Sequence, residues 1–94
     1  MGQLSPTEIE SRLGGLPGWQ QNGSCINKTY AFKDYYQTIA FVNAVAWISH
    51  REDHHPDLAV SYNACRISYS THSAGGLTDR DFDCAALVDA LFRP

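Results

Sequence analysis

Pro56 is the residue that most limits what this chain can fold into, because the hydrophobic period changes across it. Upstream, beginning at Asp34 as a helix cap, Ile39, Val42 and Ala46 recur at helical spacing with Tyr35 before them, and Tyr36, Phe41, Val45 and Trp47 widen the stripe. Downstream, Leu58, Val60 and Tyr62 alternate with polar or small neighbours, and Cys65, Ile67 and Tyr69 alternate with Arg66, Ser68 and Ser70, as strands do. Proline cannot continue the helix and pushes the residue before it toward extended backbone. The helix is therefore expected to end near Asp53 or His54, with His55 already extended. A tight turn at Asn63 and Ala64 would fold the two alternating runs into a hairpin.

The same reading extends to both sides. Ser5-Pro6-Thr7-Glu8 has the form of a capping box with proline at the first helical position, and the helix it opens should run to about Leu13 before Gly14, Gly15, Pro17 and Gly18. Asn22-Gly23 suits a type I′ hairpin turn between strands at about 18–21 and 25–32, with Ile26, Tyr30 and Phe32 on one face and Lys28 the exception. After Gly75-Gly76, Thr78-Asp79-Arg80-Asp81 opens a last helix whose Cys84, Leu87, Val88 and Leu91 fall on one face. Hairpins separated by a helix predict an α+β fold, a four-stranded antiparallel sheet with three helices packed on one face, as one domain over residues 1–94.

Bulk properties narrow the function. With 44% hydrophobic and 18% charged residues the chain is expected to fold. A net charge of −3 and no basic run argue against direct nucleic-acid binding. Cys25, Cys65 and Cys84 are odd in number and widely spaced, which reads as reduced core thiols. Neither a signal-like start nor a run long enough to span a membrane is present, so a cytoplasmic protein is expected.

The chemistry-bearing stretch is "SHREDHHPDLAV", residues 49–60, which holds His50, His54 and His55 out of four histidines in the chain. It reads as a wet helix end or as the wall of a pocket. In the pocket reading, His54 and His55 flank the switch from helix to strand and approach one cavity from different sides. A helix C terminus also favours a cationic imidazole. If 58–62 pairs with 65–71, the strand start after His55 and the strand end at His72 lie at one edge of the sheet, and three histidines converge. His50 and His54, at i, i+4 spacing, would also suit a metal, but the HExxH pattern is broken by Arg51 and no further ligand pattern supports one. Asp81 reads as the acid of a Thr78 capping box, compatible with a place at a pocket rim. Asp79 and Arg80 read as a solvated first turn, and Gly75-Gly76 as a backbone turn.

Taken together, His54-His55-Pro56-Asp57, Tyr62, Ser70-Thr71-His72, Gly75-Gly76-Leu77-Thr78 and Asp81 resemble the pterin-4a-carbinolamine dehydratase family. The likeness extends over most of the chain, including Leu16-Pro17-Gly18-Trp19, the helix entry at 32–34 and the final helix. It implies dehydration of a 4a-hydroxytetrahydropterin, such as 4a-hydroxytetrahydrobiopterin, to the quinonoid dihydropterin, in support of aromatic amino acid hydroxylation such as that of phenylalanine hydroxylase. The reaction needs an acid and a base but no metal or organic cofactor. By resemblance His54 and His72 match the acid/base pair, which of them donates being open, and His55 the residue that mainly holds the pterin. Pro56, Asp57, Thr71, Asp81 and His50 fall at substrate-binding positions. His50 stands where relatives often carry glutamate, and Leu58 replaces a common aromatic. The resemblance further implies a homodimer joined edge to edge by its sheets, in some members a tetramer through the long helices, and the surplus of aromatic residues at 35–47 suits a subunit contact. The alternative from another class is a non-catalytic dimeric partner protein, a transcriptional cofactor or carboxylase assembly factor, as some relatives are.

Overall fold

In a computed structural model, which describes residues 2–92, the helices begin where their caps are encoded. Helix α1, Pro6–Gly14, starts with the full capping box: Ser5 N–H donates to Glu8 Oε1 at 2.9 Å and Glu8 N–H to Ser5 Oγ at 3.2 Å. The Ser5 backbone and hydroxyl hold the Glu8 carboxyl below its ordinary range. Strands β1, Gln20–Asn22, and β2, Cys25–Ala31, form the first hairpin. Its turn is centred on Gly23-Ser24, one residue later than expected, with a positive φ of 63° at Gly23 alone. A positive φ at only the first central residue is the type II′ requirement, so glycine, not the Asn-Gly pair, sets this register.

Helix α2, Tyr35–Glu52, is capped by Asp34, whose Oδ1 accepts from Gln37 N–H at 2.9 Å. Its buried residues are Thr38, Phe41, Val45 and Ile48. The inward face is thus rotated from the expected stripe: Ile39 and Val42 flank it half-buried, while Tyr36 and Trp47 stand exposed. Thr38 belongs inside because its hydroxyl is within hydrogen-bonding distance of two backbone carbonyls, of Asp34 at 2.9 Å and Tyr62 at 3.0 Å.

Strands β3, Asp57–Val60, and β4, Ala64–Tyr69, form the second hairpin. Ser61 N–H bonds the Ala64 carbonyl at 2.9 Å, which centres the turn on Tyr62-Asn63 instead of Asn63-Ala64. The sheet is antiparallel in the order β1-β2-β4-β3, so the hairpins meet along β2 and β4, with Ile26 opposite Tyr69 and Tyr30 opposite Cys65. Three helices cover one face, where Ile26, Tyr30, Cys65, Ile67 and Tyr69 are buried. Leu58 and Val60 alternate as expected but lie on the β3 edge strand and remain exposed.

Helix α3, Asp79–Asp89, buries Phe82, Cys84, Ala85 and Val88 against this face. Leu91 falls beyond it in a 3₁₀ turn, Ala90–Phe92, and is exposed. Asp89 ends α3 by accepting from Lys28 Nζ at 3.0 Å, Trp19 Nε1 at 3.2 Å and the Tyr30 hydroxyl. Lys28 therefore sits on the core face of β2 because its charge is paired there. Two contacts bring the N-terminal segment under the loop before α3: Leu4 N–H donates to the Leu77 carbonyl at 2.8 Å, and the Gln3 side chain packs directly on Gly76, where a Cβ would displace it.

Candidate active site

Helix α2 ends in a Schellman arrangement. Asp53 adopts the left-handed conformation (φ 52°, ψ 44°), its N–H reaches the His50 carbonyl and His54 N–H reaches the Ser49 carbonyl at 3.1 Å. This reversal turns His54 inward, and the next residues enter β3. His54 Nε2 lies 2.6 Å from Asp81 Oδ1, with the imidazole side chain 10% exposed and the carboxylate fully buried. Asp81 Oδ2 accepts from Thr71 Oγ1 at 2.8 Å and from Thr78 N–H at 3.0 Å. Since Thr71 gives its proton to Asp81, the 2.9 Å contact between the two threonine hydroxyls is donated by Thr78. Every member of this buried network is satisfied, so Asp81 is held in one orientation and holds His54 in turn.

The second wall comes from the end of β4. His72 does not continue that strand: it opens a 3₁₀ turn, His72–Ala74, closed by an antiparallel bridge between Thr71 and Gly76 and by left-handed Gly75. His54, His55 and His72 thereby line one cleft of about 200 Å³, together with Asp53, Ser70, Thr71, Ser73 and Arg80. That is smaller than the roughly 300–1,000 Å³ common for drug-sized ligands and suits a compact ring system. His55 and His72 are exposed, whereas His54 is the sheltered member.

The remaining residues singled out from the sequence lie elsewhere. His50 is exposed on α2 with its ring 5.5 Å from that of Trp47, and Asp57 begins the edge strand with Pro56 just ahead of it; none of the three lines the cleft. Among the described residues no group of three or more His, Cys, Asp or Glu side chains is placed to hold a metal ion. Arg80, read from sequence as solvated, instead lines the cleft and donates to the carbonyls of Glu52, at 3.2 Å, and of Asp53. A cation in the first turn of a helix opposes the helix dipole, and that is the signal by which sequence could have marked it. Here it neutralises the negative end of α2. Tyr69, also unmarked, packs behind His54.

An ionised Asp81 can only accept, so Nε2 of His54 carries a proton and Nδ1 is left to exchange one. A positive ring at His54 would be stabilised by the same carboxylate. The fold and site define a class: a helix-covered antiparallel sheet with a carboxylate-braced histidine at one end facing two exposed histidines. The comparisons with known proteins give that class a name. The model of the pterin 4 alpha carbinolamine dehydratase family matches residues 2–91, and the chain belongs to this family. It is 57% identical over 93 residues to a protein of Nitrosospira multiformis, covering 99% of this chain and 82% of that one. It is 62% identical over 89 residues to one of Nitrosomonas eutropha, covering 94% and 79%. Both are provisionally named pterin-4-alpha-carbinolamine dehydratases. Among solved structures, a transcriptional coactivator/pterin dehydratase of Brucella melitensis superposes with a TM-score of 0.92 at 29% identity, covering 96% of this chain and 98% of that one. A pterin dehydratase-like RuBisCO assembly factor of the alpha-carboxysome gives 0.64 at 30% identity, covering 78% and 84%.

Proposed function

We propose that the protein dehydrates a 4a-hydroxytetrahydropterin, such as 4a-hydroxytetrahydrobiopterin, to the quinonoid dihydropterin by histidine acid/base catalysis, without a metal or organic cofactor. The bond from C4a to the hydroxyl oxygen breaks as an acid protonates that oxygen, a base removes the N5 proton, and the C4a–N5 double bond forms with release of one water. His54 and His72 share the two proton transfers, and His55 orients the ring. The observation that carries this reading is the convergence of His54, His55 and His72 on one cleft with His54 braced by buried Asp81. Imidazole suits both transfers because it changes charge near neutral pH. In the cell the substrate would come from aromatic amino acid hydroxylases, phenylalanine hydroxylase among them, acting in the cytoplasm.

The test is the dehydration rate of freshly generated 4a-carbinolamine with the natural protein and with His54→Ala, His55→Ala and His72→Ala. Losses of about 10²-fold or more at His54 or His72 are expected, the size typical of a positioned acid or base. A natural protein no faster than buffer would overturn the reading.

A second reading, a partner-binding role in a homodimer or homotetramer, is favoured by exposed Tyr36 and Trp47 on α2, 81% and 64% accessible. His54→Ala separates the two, since it should abolish dehydration and leave association intact.

A further inference from the structure

We propose that Tyr69 is a positioning residue for His54, its ring fixing the plane of the imidazole while Asp81 fixes the ring's anchor point; this deepens the dehydratase reading and rests on it. The two rings stack nearly parallel, 16° between planes and 5.7 Å between centroids. Asp81 holds His54 at Nε2 alone, which leaves the imidazole free to swing about the Nε2···Oδ1 line. A flat surface against the ring's face removes that freedom, and an aliphatic side chain supplies contact without a preferred plane.

Tyr69 is suited to this because it cannot move. It is fully buried on the inward face of β4, and its ring also meets that of Trp19, at 6.2 Å between centroids and tilted by 36°. Its hydroxyl is buried with no hydrogen-bond partner among the described residues. The neighbouring Ser49 hydroxyl donates its proton to the Val45 carbonyl at 2.8 Å and keeps its lone pairs free to accept. With no close bond to the phenol, what the position presents to His54 is the aromatic face.

Tyr69→Phe keeps the face, and Tyr69→Leu removes it. Tyr69→Met also removes it while filling the core flexibly, and serves where Tyr69→Leu fails to fold. Tyr69→Phe should retain kcat within about twofold, whereas the other two should lose about tenfold in kcat with KM within about twofold. In ¹⁵N-histidine spectra the Nε2–H signal of His54 should persist in Tyr69→Phe and broaden or vanish in Tyr69→Met. Full kcat with an unchanged His54 signal in a folded Leu or Met variant would overturn the proposal, as would a Tyr69→Phe enzyme as slow as those two. The spectra do not depend on turnover. A natural protein that fails to dehydrate 4a-carbinolamine but shows the expected spectra therefore overturns the reaction alone.

Discussion

Asp81 caps a helix and braces a histidine with the two oxygens of one carboxylate. Replacing it by asparagine keeps an acceptor for Thr78 N–H but presents a neutral group to His54, removing the charge that stabilises a cationic ring. Asp81→Asn should lower kcat by about 10²-fold or more with a stability loss of only about 1–2 kcal/mol, checked by steady-state kinetics beside thermal melts. Asp81 was expected at a pocket rim, but its carboxylate is fully buried and does not line the cleft, so of its two aspects only the helix cap was legible in the sequence. Tyr69 and Arg80 were not. Alternation marks Tyr69 as inward but does not say which ring it meets, and the partners of Arg80 are backbone carbonyls 27 and 28 residues away, which no side-chain pattern encodes.

Among the elements, the meeting of α2 and α3 matters most, since the C-terminal carbonyls of one are answered by Arg80 from the first turn of the other. Arg80→Ala should leave β-sheet content unchanged and speed amide exchange at residues 50–54, with about 1–2 kcal/mol lost in denaturant titrations. Asp53 holds a left-handed conformation that glycine adopts freely. Asp53→Gly should therefore raise the unfolding free energy by up to about 1 kcal/mol in the same titrations, provided the Schellman bonds persist. Caps and prolines made the helix limits readable to within a residue or two. Turn centres and the rotation of α2 were less so: adjacent turn positions carry equally permissive residues, and aromatic side chains on both flanks of α2 blur which face is buried.

Across the whole molecule, the buried phenols and thiol set how the protein meets alkali. Burial, with Asp89 added for Tyr30, raises the pKa values of Tyr30 and Tyr69, and burial pushes Cys84 up to about 11. The unfolded chain releases its tyrosine protons near pH 10 and its cysteine protons near pH 9. Above those values the folded state holds protons that the unfolded state has lost, so unfolding free energy falls as pH rises past about 9 and keeps falling above about 11, where the tyrosines add to the decline. Urea midpoints should be flat with respect to these groups below about pH 9 and fall above it, and Tyr69→Phe should flatten part of the decline. The N-terminal segment adds a mechanical link. Leu4 is hydrogen-bonded to Leu77 and Gln3 is pressed on Gly76, so the loop that presents His72 rests on residues at the opposite end of the chain's numbering. A segment fused ahead of Gly2 joins the chain beside that support, so an N-terminal fusion should lower turnover more than the same segment fused at the C terminus.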